Sequence, residues 1–173
     1  ALAGAALTTA LAAGPAQAQS VMKLASATIN DVQHQWQLVF AEELAARVGD
    51  AVTVEIYPAS QLGAIPRLVE GVLFGTIEGF VTPTSFLVGT DPRFAAFDAP
   101  MLFDDGAHVG RVLHDPDYRD HLETFALDSG LRIIGAIYNS PILVLSTTPI
   151  ETLADFEGNK IRTFATPLQM VPM

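Results

Sequence analysis

The sequence predicts an α/β fold built on an open parallel sheet, and three observations predict it. Residues 52–80, VTVEIYPASQLGAIPRLVEGVLFGTIEGF, run strand, turn, helix, strand with short connections, the order of a βαβ unit. The helix in that unit is punctuated at both ends, by Pro66 in its first turn and Gly75 past its last. Half of the 173 residues are apolar, enough for a packed core, and no stretch after the N-terminus has the length of a membrane span.

Each element has a local reason. Val21–Ile29 reads as the first strand, with Met22 and Leu24 as its apolar residues. Asn30 or Asp31 is expected to cap the helix that follows. That helix, Val32–Val48, carries Val32, Trp36, Val39, Phe40 and Leu44 as the stripe expected to face the core, and Gly49 ends it. Val52–Tyr57 alternates as a second strand, and Ile77–Val81 is a third. Phe94–Phe103, apolar but broken by Asp98 and Pro100, suits an irregular buried connector. Two helices follow, Asp104–Leu113 and then one capped by Asp115-Pro116 that runs to Asp128 and is stopped by Ser129-Gly130. Leu131–Tyr138 and Ile142–Ser146 read as two further strands on either side of Asn139-Ser140-Pro141.

The first eighteen residues, ALAGAALTTALAAGPAQA, are uncharged, small and apolar, and end in the A-x-A pattern Ala16-Gln17-Ala18. This reads as the h-region and c-region of a secretory signal peptide without its positive n-region, with the mature chain expected to start near Gln19. Nine basic against nineteen acidic residues leave a net charge of −10, which disfavours nucleic acid, since phosphate is held by Lys and Arg. The chain has no Cys, so disulfides, thiolate metal sites and thiol nucleophiles are excluded. The four His show no metal-ligand spacing, and no nucleophile elbow, phosphate loop or dinucleotide fingerprint occurs. Neither an enzyme nor a cofactor or metal site is expected.

The wording of several segments resembles the DctP-type solute-binding receptors of tripartite ATP-independent periplasmic (TRAP) transporters. The family's V-x-V-x-x-x-P-x-x-Q-L-G is matched by Val52, Val54, Pro58, Gln61, Leu62 and Gly63, and its L-x-x-G-x-x-x-G-T by Leu68, Gly71, Gly75 and Thr76. Asp98, Pro100, Leu102 and Phe103 match its D-x-P-F-L-F run. Pro149 to Arg162 is similar to its P-I-x-x-x-x-D-L-x-G-x-K-I-R signature, with Phe156 in place of Leu. The resemblance covers nearly all of the chain after the leader. It implies a two-lobed periplasmic-binding-protein fold of type II kind, here the first lobe (19–140), a crossing strand and the start of a second lobe (141–173). It further implies a receptor in the periplasm that takes a small organic acid in a cleft and delivers it to membrane permease subunits. Receptors of ABC importers share the bilobal logic, and an exported hydrolase or transferase on a similar sheet is the reading from another class.

Four residues are the candidates for ligand contact. The resemblance makes Arg162 the partner of the ligand carboxylate, and a planar guanidinium suits that task because it donates two parallel hydrogen bonds. Thr84 and Ser85 follow the third strand, where open α/β sheets bind ligands, and Asn139 ends a predicted strand. One departure stands out. A second arginine that many relatives carry just before the crossing strand would fall near Ser140-Pro141, and none is there.

Overall fold

A computed structural model describes residues 20–163; the predicted leader, 1–18, and the residues after 163 lie outside the described residues. β1 (Ser20–Ser26) leads to α1 (Val32–Val48), β2 (Val52–Tyr57), α2 (Ile65–Leu73) and β3 (Gly79–Val81). These strands form one parallel sheet in the order β2-β1-β3, with Leu24 opposite both Ile56 and Gly79. β1 is thus the middle strand, covered on both faces, and Leu24, Ala25 and Ser26 are buried in succession rather than alternately. β3 is shorter than the predicted Ile77–Val81 because Thr76 and Ile77 donate their N–H groups back to the Gly71 carbonyl and close α2 instead.

α1 and β2 keep the bounds read from the sequence, and Asp31 rather than Asn30 caps α1, its carboxylate accepting from the His34 N–H at 3.0 Å. The buried face of α1 differs from the predicted stripe. Gln33 and Gln37 are buried, while Val32 and Val39 are exposed. The reason is a polar anchor: the Gln37 amide donates to the Leu24 carbonyl and its oxygen accepts from the Ser26 hydroxyl, both at 2.9 Å. An amide bonded through both its nitrogen and its oxygen can be buried at little cost and fixes the helix on the strand in one register.

Two apolar clusters share Val72 of α2. One is Ala25, Leu68 and Ile77 between sheet and helix. The other gathers Phe94, Leu122, Phe125, Ala126 and Leu131. The second forms where the connector 92–98 packs against α4. α3 (Gly106–His114) and α4 (Pro116–Glu123) are both shorter than predicted. α4 stops early because Ala126 is left-handed (φ 59°), with its N–H taken by Asp91 at 2.9 Å. Arg93 takes the Thr124 carbonyl at 3.0 Å and stacks over the Phe125 ring at 4.2 Å.

The two strands predicted beyond this point do not form. Residues 131–146 have no regular structure, although Leu131 is buried and Ile133 packs on the second cluster. A strand exists only through its ladder bonds, and among the described residues no neighbour supplies them. Ile142, Leu143 and Leu145 are accordingly exposed at 76 %, 72 % and 94 %. The signature after Pro149 folds into a capped 3-10 turn, Leu153–Phe156, closed by Thr152 and Asp155. Lys160-Ile161-Arg162 has no regular structure either.

Candidate functional site

The carboxyl edge of the sheet carries three loops, and the first two are tied together. After β2, Ala59 and Ser60 both adopt left-handed backbone (φ 53° and 58°). Their N–H groups donate to the Thr28 and Ser26 carbonyls of the loop after β1, each at 3.0 Å. Asn30 is left-handed too (φ 61°), so three of the strained non-glycine positions gather at this edge. Burial works to raise the Asp31 carboxyl, but hydrogen bonds from the Thr28 hydroxyl and from the His34 and Gln33 N–H groups outweigh it and hold it below its ordinary value.

The third loop follows β3, where Thr84–Leu87 forms a 3-10 turn. Thr84 and Ser85, both half-buried, therefore stand at the carboxyl end of a parallel strand, as the sequence predicted. Ser85 donates its hydroxyl proton to Asp98 Oδ1 at 2.5 Å. Asp98 is 7 % exposed and ends the 3-10 turn Pro92–Asp98. Its bond to Ser85 is not foreseen in the sequence, where Asp98 breaks an apolar run and matches the D-x-P-F-L-F wording; an acid inside FAAFDAPMLF is the available signal.

Asn139 and Arg162 are exposed and belong to the irregular part of the chain. Two sizeable cavities can be placed among the described residues. One, of about 510 Å³, lies between α3, α4 and residues 133–138; the other, of about 480 Å³, lies between Val144 and Phe156. Neither is lined by Thr84, Ser85, Asn139 or Arg162. Thr84 and Ser85 thus stand side by side at one strand end, while Asn139 and Arg162 lie in the segments that follow α4. Among the described residues, no cluster of three or more His, Asp or Glu could hold a metal ion.

A parallel sheet with polar loops gathered at its carboxyl edge is the architecture of a small-molecule receptor or enzyme domain. Comparison with known proteins selects between these. Residues 25–172 match the family model described as DctP, bacterial extracellular solute-binding protein, family 7, and the chain belongs to that family. The 2,3-diketo-L-gulonate-binding periplasmic protein YiaO of Escherichia coli K12 is 30 % identical over 141 residues, covering 81 % of this chain and 43 % of YiaO. A TRAP periplasmic solute-binding protein of Haemophilus influenzae, solved with bound L-gulonate, superposes with a TM-score of 0.72 at 25 % identity, covering 80 % of this chain and 46 % of its own. A TRAP solute-binding protein of Desulfovibrio salexigens with bound orotic acid is 30 % identical, with a TM-score of 0.56 over 63 % of this chain and 35 % of its own. The chain spans less than half the length of each of these proteins. Family and structural neighbours are solute-binding receptors, not enzymes.

Proposed function

We propose that this chain belongs to an extracytoplasmic receptor of the TRAP type. It is exported to the periplasm, takes a small organic acid into an interlobe cleft, and passes it to membrane permease subunits. The observation that carries the reading is the family match over residues 25–172, which takes in the end of β1, the other two strands, the carboxyl-edge loops and the Arg162 signature. The named relatives add chemistry: 2,3-diketo-L-gulonate, L-gulonate and orotic acid are all carboxylic acids. In this proposal Arg162 clamps the carboxylate, with Thr84, Ser85 and Asn139 supplying polar contacts from the first lobe. Hinge closure of a second lobe would carry Arg162 to the sheet edge.

The test is calorimetry of the full-length protein with L-gulonate. Arg162→Ala is expected to leave the melting curve nearly unchanged and to weaken binding by about 2–5 kcal/mol, the cost of truncating one partner of a desolvated charge pair. Arg162→Lys should restore only part of that loss, since an ammonium lacks the two-pronged geometry. Undiminished affinity in Arg162→Ala would remove Arg162 from the site.

A further inference from the structure

The geometry points to Ser85 and Asp98 as a reader of a ligand hydroxyl group, so that the solute is a hydroxylated acid rather than a plain dicarboxylate. This rests on the receptor reading above and assigns a task within its site. A serine hydroxyl has one proton, and here that proton is spent: it is donated to Asp98 Oδ1 at 2.5 Å. A carboxylate has only lone pairs to offer, so the direction of this bond is fixed. Ser85 is left with acceptor capacity alone toward anything else that reaches it. A bond to a carboxylate also pulls the Ser85 proton away and makes its oxygen the better acceptor for a second partner.

The neighbouring hydroxyl has the opposite freedom. Thr84 makes no side-chain hydrogen bond among the described residues, so its proton remains available to an anionic oxygen. Two adjacent side chains of different polarity thus stand at the same strand end. An oxygen without a proton would meet repulsion at Ser85, whereas an O–H group would be satisfied by it. Nor is Asp98 free to turn away. It closes a turn whose Phe94 is 1 % exposed in the second apolar cluster and whose Asp91 is held by Arg93, so the acceptor is fixed before any ligand arrives. A link between two turns would need no ionisable group, and burying one is costly unless it has a task.

The experiment is calorimetry of the full-length protein with L-gulonate, which has hydroxyl groups, and succinate, which has none, for wild type, Ser85→Ala and Asp98→Asn. Wild type should bind L-gulonate more tightly than succinate. Ser85→Ala should weaken L-gulonate by about tenfold, the scale of one hydrogen bond, and should not weaken succinate, whose oxygens gain nothing from Ser85. Asp98→Asn keeps the shape but can donate to Ser85 and release its proton; it should lower the preference for L-gulonate over succinate by a similar factor. A purely structural link would move both acids together. Equal losses for both acids in Ser85→Ala overturn the assignment and leave the receptor reading standing. Binding of neither acid to the wild type overturns the organic-acid reading and this assignment with it.

Discussion

Single residues set where this fold is rigid, and Asp91 is the clearest case. Its carboxylate accepts from Arg93 Nε at 3.1 and 3.0 Å and from Arg93 Nη2 at 2.6 Å, and it also takes the Ala126 N–H. The Arg93 side-chain hydrogen bonds, joined by the Ala126 N–H, hold the Asp91 carboxyl well below the usual carboxylate range. A depressed pKa in the folded state means stability that is fully present above the unfolded value and is lost as pH falls toward the folded one. Melting temperature should therefore fall as pH drops below about 4. Asp91→Asn should melt lower at neutral pH and show a flatter dependence on acid. A pH profile identical to wild type would mean that this pair does not couple to folding. Gly71 makes a second residue-scale case, because a Cβ there would stand 2.7 Å from Ile77 Cδ1 and 3.0 Å from Cγ1, inside the first cluster. Alanine would gain up to about 1 kcal/mol of helix propensity. Overpacking of a closed site costs about 1–3 kcal/mol, so destabilisation is expected to win. Ile77→Val removes the nearer atom and should recover part of the loss, which a double-mutant cycle by denaturant titration would read as coupling.

At the scale of elements, the short helices depend on their caps more than on their apolar faces. Asp115 closes α3 and opens α4: its N–H bonds the Val112 carbonyl, and its carboxylate accepts from the Tyr118 N–H at 3.0 Å, with Pro116 at the first helical position. Asp115→Ala should cost about 1 kcal/mol, while Asp115→Asn should cost less. Chemical denaturation of the three proteins decides; a neutral alanine variant would show that packing of Leu122 alone holds α4. Caps, turns and strand alternation were also what the sequence made legible: α1 and β2 were bounded by Asp31, Gly49 and Tyr57-Pro58. What it hid was polar. An apolar stripe through Trp36 and Phe40 cannot announce that Gln37 is the buried side chain, since that burial depends on Ser26 and the Leu24 carbonyl of another element. The site was legible in the same uneven way. Thr84 and Ser85 follow from strand order alone, but the Ser85–Asp98 bond spans thirteen residues between two turns and has no periodic signature.

The molecule as a whole is well packed as far as Leu131 and open beyond it. β3 is an edge strand, residues 131–146 run without ladder partners, and Ile134, Ile142, Leu143 and Leu145 are exposed. Local sequence predicts strands there because Val, Ile and Leu suit a pleated surface, yet a strand needs a second strand, and that information is not local. Unpaired apolar backbone of this length is a template for pairing with other chains. Residues 19–173 expressed alone should therefore aggregate in a concentration-dependent way, bind a hydrophobic dye, and melt without a sharp transition. The packed part should behave differently within the same sample. Hydrogen exchange is expected to be slow at Leu24–Ser26 and Phe94 and fast throughout 131–146, because protection tracks local opening. Charged substitutions at Ile142 and Leu145 should suppress aggregation without altering exchange in β1, as neither residue contributes to either apolar cluster. A monomeric 19–173 with a cooperative melt and protected amides across 131–146 would show that this segment finds its partners within the chain, and the aggregation prediction would fall.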